Sequence, residues 1–265
     1  MNQPAQVILL TDADNPVGKA MIRRFAGEGA HFLLNSESNG TAAIAEIDFA
    51  KASGSKVIVR NVDLSADAGA SELVLLAERE LGPLDVLIHN NDRLVSMSIE
   101  GGPEPSYREV INANAKSAFL CARAAGKVMA PRESGCILFV SSIHAEKPTG
   151  SSFAYSASKG AIKMLAKEAA LELGRHGIRV NTIEVGPLEG DNERFQSSLT
   201  TLYRSYDTKV PSARLGTAED IANVACFLAS EEARYVNGAD LRLDGGFLLH
   251  YMDHKMKQPR SGDSP

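Results

Sequence analysis

The chain has 265 residues, 44% of them hydrophobic, which is enough for a substantial core and excludes unstructured and collagen-like classes. Its 28 basic and 33 acidic residues give a net charge of -5 and are mixed along the sequence, so no block of like charge offers a surface to nucleic acid or anionic lipid. Neither partner is expected.

Short apolar runs alternate with longer segments of helical period. Val7 to Leu10 precedes Val17 to Glu28, Phe32 to Leu34 precedes Thr41 to Ala52, and Val57 to Val59 precedes Ser71 to Leu81. Val86 to Ile88 then leads to Tyr107 to Ala130, Ile137 to Val140 to Tyr155 to Leu173, and Ile178 to Val185 to a long polar connection and the helix Ala218 to Ala229. Asp240 to Leu243 is a last strand. Strands without polar alternation are buried on both faces, so the pattern predicts an α/β chain: a single Rossmann-like, doubly wound domain with a mostly parallel seven-stranded sheet and helices on both faces. No linker divides residues 1–249, and the polar stretch 250–265 is expected to be a tail. Met1-Asn2-Gln3-Pro4 lacks the basic start and apolar run of a secretory signal, and no apolar segment nears the ~18 residues that span a bilayer, so a cytoplasmic protein with no membrane partner is expected. Cys121, Cys136 and Cys226 are odd in number and lie in apolar contexts, as buried thiols of a reducing compartment do. No Cys/His pair has metal-ligand spacing.

Tyr155 and Lys159 stand four residues apart, on one face of a helix, and Ser142 closes the strand-like run from Cys136. An ammonium beside a phenol favours the phenolate and would bring Tyr155 toward neutral titration, while a serine hydroxyl can donate to a substrate oxygen. Taken alone, Tyr-x-x-x-Lys is common on solvated helix faces.

The surrounding blocks make the match specific. Asp85-Val86-Leu87-Ile88, Asn112-Ala113-Asn114, Val140-Ser141-Ser142, Tyr155-Ser156-Ala157-Ser158-Lys159-Gly160-Ala161, Ile178-Arg179-Val180-Asn181 and Arg214 to Ala222 follow one another in an order that resembles the short-chain dehydrogenase/reductase family over about residues 6–247. The resemblance implies hydride transfer between a nicotinamide cofactor and a small carbonyl or secondary alcohol. In it, Tyr155 is the acid/base, Ser142 orients the carbonyl, Lys159 tunes Tyr155 and binds the nicotinamide ribose, and Asn114 holds a relay water. It also implies cofactor contacts at Thr11, Asp12, Asn15, Val17, Gly18, Ser36, Asp63, Leu64, Asn90, Lys159 and Gly186, with Asp63 at the adenine.

The cofactor side departs from that family. Where its members have Thr-Gly-x-x-x-Gly-x-Gly, this chain reads Thr11-Asp12-Ala13-Asp14-Asn15-Pro16-Val17-Gly18, so two of three glycines are missing. Those glycines let backbone N–H groups approach a pyrophosphate at a helix N-terminus; Pro16 removes one N–H, and Asp12 and Asp14 bring negative charge. The usual Asn-Asn-Ala-Gly is His89-Asn90-Asn91-Asp92, which places larger polar groups where small residues border the adenosine ribose. Two readings stand: an active oxidoreductase with a reshaped cofactor loop, or a binding or scaffolding subunit with weak or no dinucleotide binding. Between NAD and NADP, Glu37 after the second strand and Asn15 at an often basic position favour NAD, with Lys19 and Arg60 as the cations within possible reach of a 2'-phosphate.

On the substrate side the resemblance points to His144, Glu146, Thr149, Arg93, Leu94 and the stretch Leu188 to Ser212, where Phe195, Leu199, Leu202, Tyr203 and Tyr206 could form the apolar face of a lid. Gly190 replaces a threonine that often contacts the nicotinamide amide. Small residues on two long helices (Ala113, Ala115, Ser117, Ala118, Ala122, Ala125, Ala161, Ala166, Ala169, Ala170), with Leu120, Met164 and Leu165, would let helices of two copies approach, and a homodimer or homotetramer is expected.

Overall fold

A computed structural model describes residues 5–148, 150, 152–194 and 209–249. Seven strands form one sheet in the order β3-β2-β1-β4-β5-β6-β7, where β1 is Val7–Leu10, β2 His31–Asn35, β3 Val57–Arg60, β4 Val86–His89, β5 Gly135–Ser142, β6 Ile178–Val185 and β7 Asp240–Leu243. Every pairing is parallel, so the expected mostly parallel sheet is wholly parallel. The chain winds outward from β1 in one direction and from β4 in the other, and the crevice at that switch point lies over the carboxyl ends of the two strands.

The helices are α1 (Pro16–Ala26), α2 (Ile44–Ala52), α3 (Asp67–Glu80), α4 (Glu104–Ile111), α5 (Ser117–Met129), α6 (Phe153–Gly174), the short α7 (Asp191–Arg194) and α8 (Ala218–Ala229). Strand alternation sorts the core into two layers. Ile8 and Leu10 face a cluster with Met21, Ile22 and Phe25 of α1 and Ile221, Ala225 and Leu228 of α8. Val7 and Leu9 face the other cluster, with Leu73 and Ala77 of α3, Cys121 and Ala125 of α5, and Ile162 and Ala166 of α6. Cys121 and Cys136 are buried thiols, pushed up to about 12 and about 11 by burial, and Cys226 is half-buried, so the expectation of buried thiols holds for two of the three.

Two helices differ from the sequence pattern. α3 begins at Asp67, ahead of Ser71, because Gly69 lets the first turn close onto the Asp63 carbonyl; a Cβ there would lie 2.3 Å from that oxygen. The expected helix Tyr107 to Ala130 is α4 and α5 joined by a π-helical turn, Asn112–Lys116, a widened turn of the kind that often carries functional groups. Asn114 sits in it and is fully buried. The expected tail, residues 250–265, lies outside the described residues.

Candidate active site

One strand and one helix deliver three side chains to one place. β5 ends at Ser142, whose hydroxyl accepts from the His144 N–H at 3.2 Å and caps a short 3₁₀ turn, Ile143–Ala145. The helix α6 starts beneath it and presents Tyr155 and Lys159 one turn apart, with the ammonium 5.4 Å from the phenol ring centroid. Ser142 and Tyr155 share a hydrogen bond. Asn114 uses its side chain elsewhere: its Nδ2 donates to the Arg93 carbonyl (2.9 Å) and to Ser158 Oγ (3.0 Å), and its Oδ1 accepts from the Arg93 N–H (2.8 Å). Asn114 therefore fastens the loop after β4 to α6.

The cleft holds about 460 Å³ of empty volume including its open mouth; Ser142, His144, Tyr155, Val17, Gly186, Asp92, Asp191 and Arg194 are among its lining residues. Gly186 is required by close packing, since a Cβ would meet Asp244 at 2.4 Å. His144 lines the cleft in a T-shaped contact with the Tyr155 ring, and burial lowers its pKa. Glu146 and Arg93 do not join it. Glu146 is bonded to Lys163 and Arg242, and Arg93 to Glu109 at 2.5 Å, because each has a surface partner of opposite charge on a neighbouring element. Leu94 packs in a small cluster with Met97, Val110 and Tyr155. Thr149 and the aromatic lid positions Phe195, Leu199, Leu202, Tyr203 and Tyr206 lie outside the described residues.

Asp92 was expected beside the adenosine ribose; it lies instead at the Tyr155 end of the cleft. The Tyr155 hydroxyl donates to Asp92 Oδ1 at 2.7 Å, the Lys159 ammonium lies 3.0 Å from the same oxygen, and the Arg194 guanidinium lies 2.6 Å from Oδ2. Burial works to raise the Asp92 pKa, but Lys159 and Arg194 outweigh it and hold the carboxyl well below the usual range. The effect on Tyr155 is the reverse of what Tyr-x-x-x-Lys spacing suggests. Burial, then the Asp92 charge, push the phenol well above its usual value. Spacing cannot reveal this, because Asp92 arrives from a loop 63 residues away. Arg194 likewise carried no signal beyond its place in the connection after β6.

The glycine-loop positions form a closed network. Asp12 Oδ1 accepts from the N–H groups of Asp14 (3.0 Å) and Asn15 (3.3 Å), Asp12 Oδ2 accepts from Asn15 Nδ2 (2.8 Å), and Asn15 Oδ1 caps α1 by accepting from the Gly18 N–H at 2.7 Å. Asn90 pins the loop from β4, accepting from the Asp12 N–H and donating to the Asp12 carbonyl. Thr11 completes the link by accepting from the Asn90 N–H at 3.0 Å. Gly18 is irreplaceable here, a Cβ coming 2.0 Å from the Asp12 carbonyl oxygen. At the end of β2, Asp14 accepts from Ser36 Oγ, Ser38 N–H and Ser38 Oγ. Asp63 is exposed and accepts from the Ser65 N–H, Leu64 is buried, and Glu37 is exposed.

A family profile described as "Enoyl-(Acyl carrier protein) reductase" matches residues 13–248. The chain is 32% identical to glucose 1-dehydrogenase 2 of Bacillus subtilis over 249 residues, 91% of this chain and 94% of that protein. It is 30% identical to the 2,5-dichloro-2,5-cyclohexadiene-1,4-diol dehydrogenase LinX of Sphingobium indicum, covering 92% and 96%. Among solved structures, acetoin dehydrogenase YohF of Salmonella typhimurium superposes with a TM-score of 0.82 at 29% identity, covering 93% of this chain and 98% of that one. The chain belongs to the short-chain dehydrogenase/reductase family, whose members are NAD(P)-dependent oxidoreductases of carbonyl and alcohol substrates.

As arranged, the cleft does not fit a dinucleotide held in that family's manner. The loop N–H groups of Asp14 and Asn15 are already bonded to the Asp12 carboxylate, Pro16 has none to offer, and Asp92 occupies Tyr155 and Lys159. No cluster of His, Cys, Asp and Glu suited to a metal occurs among the described residues, and no described helix is long and apolar enough to cross a membrane.

Asp191 tests the electrostatics of the cleft. Its Oδ2 accepts from the Leu188 N–H at 2.8 Å, and burial raises its pKa from 3.8 to about 6. A folded-state pKa above the unfolded value means that its contribution to stability is present below 3.8 and is lost as pH rises through about 6. Asp191→Asn keeps the acceptor and removes the ionisation. Urea denaturation at about pH 4 and about pH 7 should show the variant gaining about 2 kcal/mol on the wild type over that interval; a constant difference would mean that Asp191 ionises at no cost.

Proposed function

We propose that Tyr155 is the proton donor and acceptor for a substrate oxygen, with Ser142 positioning that oxygen, Lys159 and Asn114 supporting Tyr155, and the reaction taking place in the cleft over β4, β5 and β6. The observation that carries this reading is the convergence of the Ser142 and Tyr155 hydroxyls on one another at the carboxyl ends of the strands, beside a buried lysine. Ser142 donating toward the phenol oxygen lowers the Tyr155 pKa and partly counters Asp92. The substrate class is a small carbonyl compound or alcohol, received in the cleft lined by Ser142, His144 and Tyr155.

Of the two nicotinamide cofactors we favour NAD. Asp14 places a carboxylate on Ser36 and Ser38 at the end of β2, where a 2'-phosphate would be repelled. The contacts assigned to Thr11, Asn90, Val17, Gly18, Leu64, Asp63 and Gly186 are retained as part of this reading. Cytoplasmic location accords with three free thiols.

A second reading, a binding or scaffolding subunit with little dinucleotide affinity, is favoured by one observation: the Asp12 carboxylate sits on the loop N–H groups that would cradle phosphates. Calorimetric titration with NADH separates the two, and Asp12→Gly/Pro16→Gly should bind more tightly than the wild type, by about tenfold for each 1.4 kcal/mol recovered. Unchanged affinity would mean that the loop binds phosphate by another geometry, and absence of binding in both proteins supports the scaffold.

Self-association is also proposed. On α6, Ala157, Ala161, Met164 (57% exposed) and Leu171 (78% exposed) lie outward at helical spacing, and Phe119 of α5 is exposed as well. Ala118, Ala125, Ala166, Ala170 and Leu120 from the expected contact set are instead buried in the protomer's own core, because they lie on the sheet-facing side of each helix. Light scattering at micromolar concentration should give a dimer or tetramer mass; a mass near 28.3 kDa would reject the contact.

The site assignment is tested by Tyr155→Phe, which removes the hydroxyl and keeps the ring. Turnover of any substrate found by screening small carbonyls and alcohols should fall by at least about 100-fold, with the thermal melt retained. Turnover equal to the wild type would remove Tyr155 from the reaction.

A further inference from the structure

We infer that Asp92 is an internal latch: a carboxylate carried on the loop after β4 that occupies the Tyr155 hydroxyl, the Lys159 ammonium and the Arg194 guanidinium, and that must be displaced before a dinucleotide can engage this end of the cleft. The inference rests on the reading that Tyr155 and Lys159 form the reaction site.

Counting donors carries the argument. An ammonium has three N–H groups. Those of Lys159 are directed to the Asn91 carbonyl (3.0 Å), the Val140 carbonyl (3.2 Å) and Asp92 Oδ1 (3.0 Å), so a ribose hydroxyl would find no donor left. Tyr155 has a single hydroxyl proton, and it goes to Asp92 at 2.7 Å. The carboxylate thus takes the two groups that a ligand at the carboxyl ends of β4 and β5 would need.

The same carboxylate reaches the connection after β6. Arg194 contacts Asp92 Oδ2 at 2.6 Å and donates to the Asp92 backbone carbonyl at 3.0 Å, so α7, the loop after β4 and the start of α6 meet on one residue. Residues 90–96 form no helix or strand, and no ladder of backbone hydrogen bonds holds Asp92 in place. Side-chain pairing fixes it, and a competing ligand could release it.

The charged and titratable groups around this point come from every neighbouring element. They are Lys159 and Tyr155 of α6, Arg194 and Asp191 of α7, His144 after β5, His89 at the end of β4, and Asp12 of the loop after β1. His89 is held neutral by burial, which lowers its pKa to about 3, and Asp12 is raised by burial. Among these groups Asp92 is the anion in direct contact with both Tyr155 and Lys159.

The alternative is a purely structural ion pair that ties the loop to α7 and competes with nothing. Two readouts separate the cases. Calorimetric titration of wild type, Asp92→Asn and Asp92→Gly with NADH and with NADPH should show affinity rising by about tenfold or more in both variants, as expected when a charge-assisted hydrogen bond no longer opposes a ligand. Tyrosinate absorbance, taken as the difference between each protein and the same protein carrying Tyr155→Phe, should place the Tyr155 transition at lower pH in Asp92→Asn than in the wild type. Asp92→Asn keeps the side-chain volume, so folding is expected to survive. Affinity that stays the same or falls in both folded variants overturns the latch. If Tyr155→Phe abolishes turnover while the Asp92 variants leave affinity unchanged, the latch fails and the site stands; if Tyr155→Phe leaves turnover intact, the site itself fails.

Discussion

The carboxylate of Asp92 is the point on which the cleft depends. It accepts from a phenol, a lysine and an arginine within 3.0 Å; Tyr155 and Lys159 are buried, where an unpaired ammonium would be penalised, while Asp92 and Arg194 keep part of their surface in solvent. Buried ions persist when they are paired and hydrogen-bonded, and removing one partner leaves the others uncompensated. Here two cations share one anion, with the Tyr155 hydroxyl as a further donor. The start of α6, the loop after β4 and the short helix α7 are thereby held to one another. Asn114 reinforces the same loop from the π-helical turn, through both backbone groups of Arg93.

The loop after β1 obeys the same physical demand at the other end of the cleft. Backbone N–H groups at a helix start must be satisfied, whether by a ligand or by side chains. In a glycine-rich loop they are left for phosphate. Here Asp12 and Asn15 satisfy them, with Asn90 locking the loop to β4 and Asp14 bonded to the serines after β2. Both ends of the cleft are therefore furnished with the chain's own carboxylates, on a frame whose family uses the same crevice for a dinucleotide. The departure is local: the seven-stranded parallel sheet with helices on both faces is the one expected, and Ser142, Tyr155 and Lys159 lie close together where β5 ends and α6 begins.

Much of this was legible in the sequence because local patterning carries it. Continuous apolar runs such as Val7–Leu10 specify strands buried on both faces, and their alternation with helical segments specifies a parallel, doubly wound sheet. Tyr155 and Lys159 share a face because helical spacing requires it, and α8 spans Ala218–Ala229 as its apolar pattern indicates, with Thr217 and Asp220 capping each other at its start in the structure. The missing glycines of the loop after β1 were equally plain, as was the likelihood of crowding by Asp12 and Pro16.

What only the tertiary structure decided is where charged side chains from separate elements meet. Asp92 reads in sequence as a substitution near one end of the cofactor path, yet it turns to the other end, because Lys159 and Arg194 offer it charge there. Glu146 and Arg93 read as lining residues, yet each turns to an opposite charge at the surface. Ala118 and Ala166 read as contact residues between copies, yet they fill the core under the sheet. The sequence by itself determined the sheet, its helices and the pairing of Tyr155 with Lys159, since those follow from spacings of a few residues. The protonation balance of Tyr155 was left to the fold, because a Coulomb interaction depends on distance in space, and Asp92 lies 63 residues from it in the chain but 2.7 Å away in the molecule.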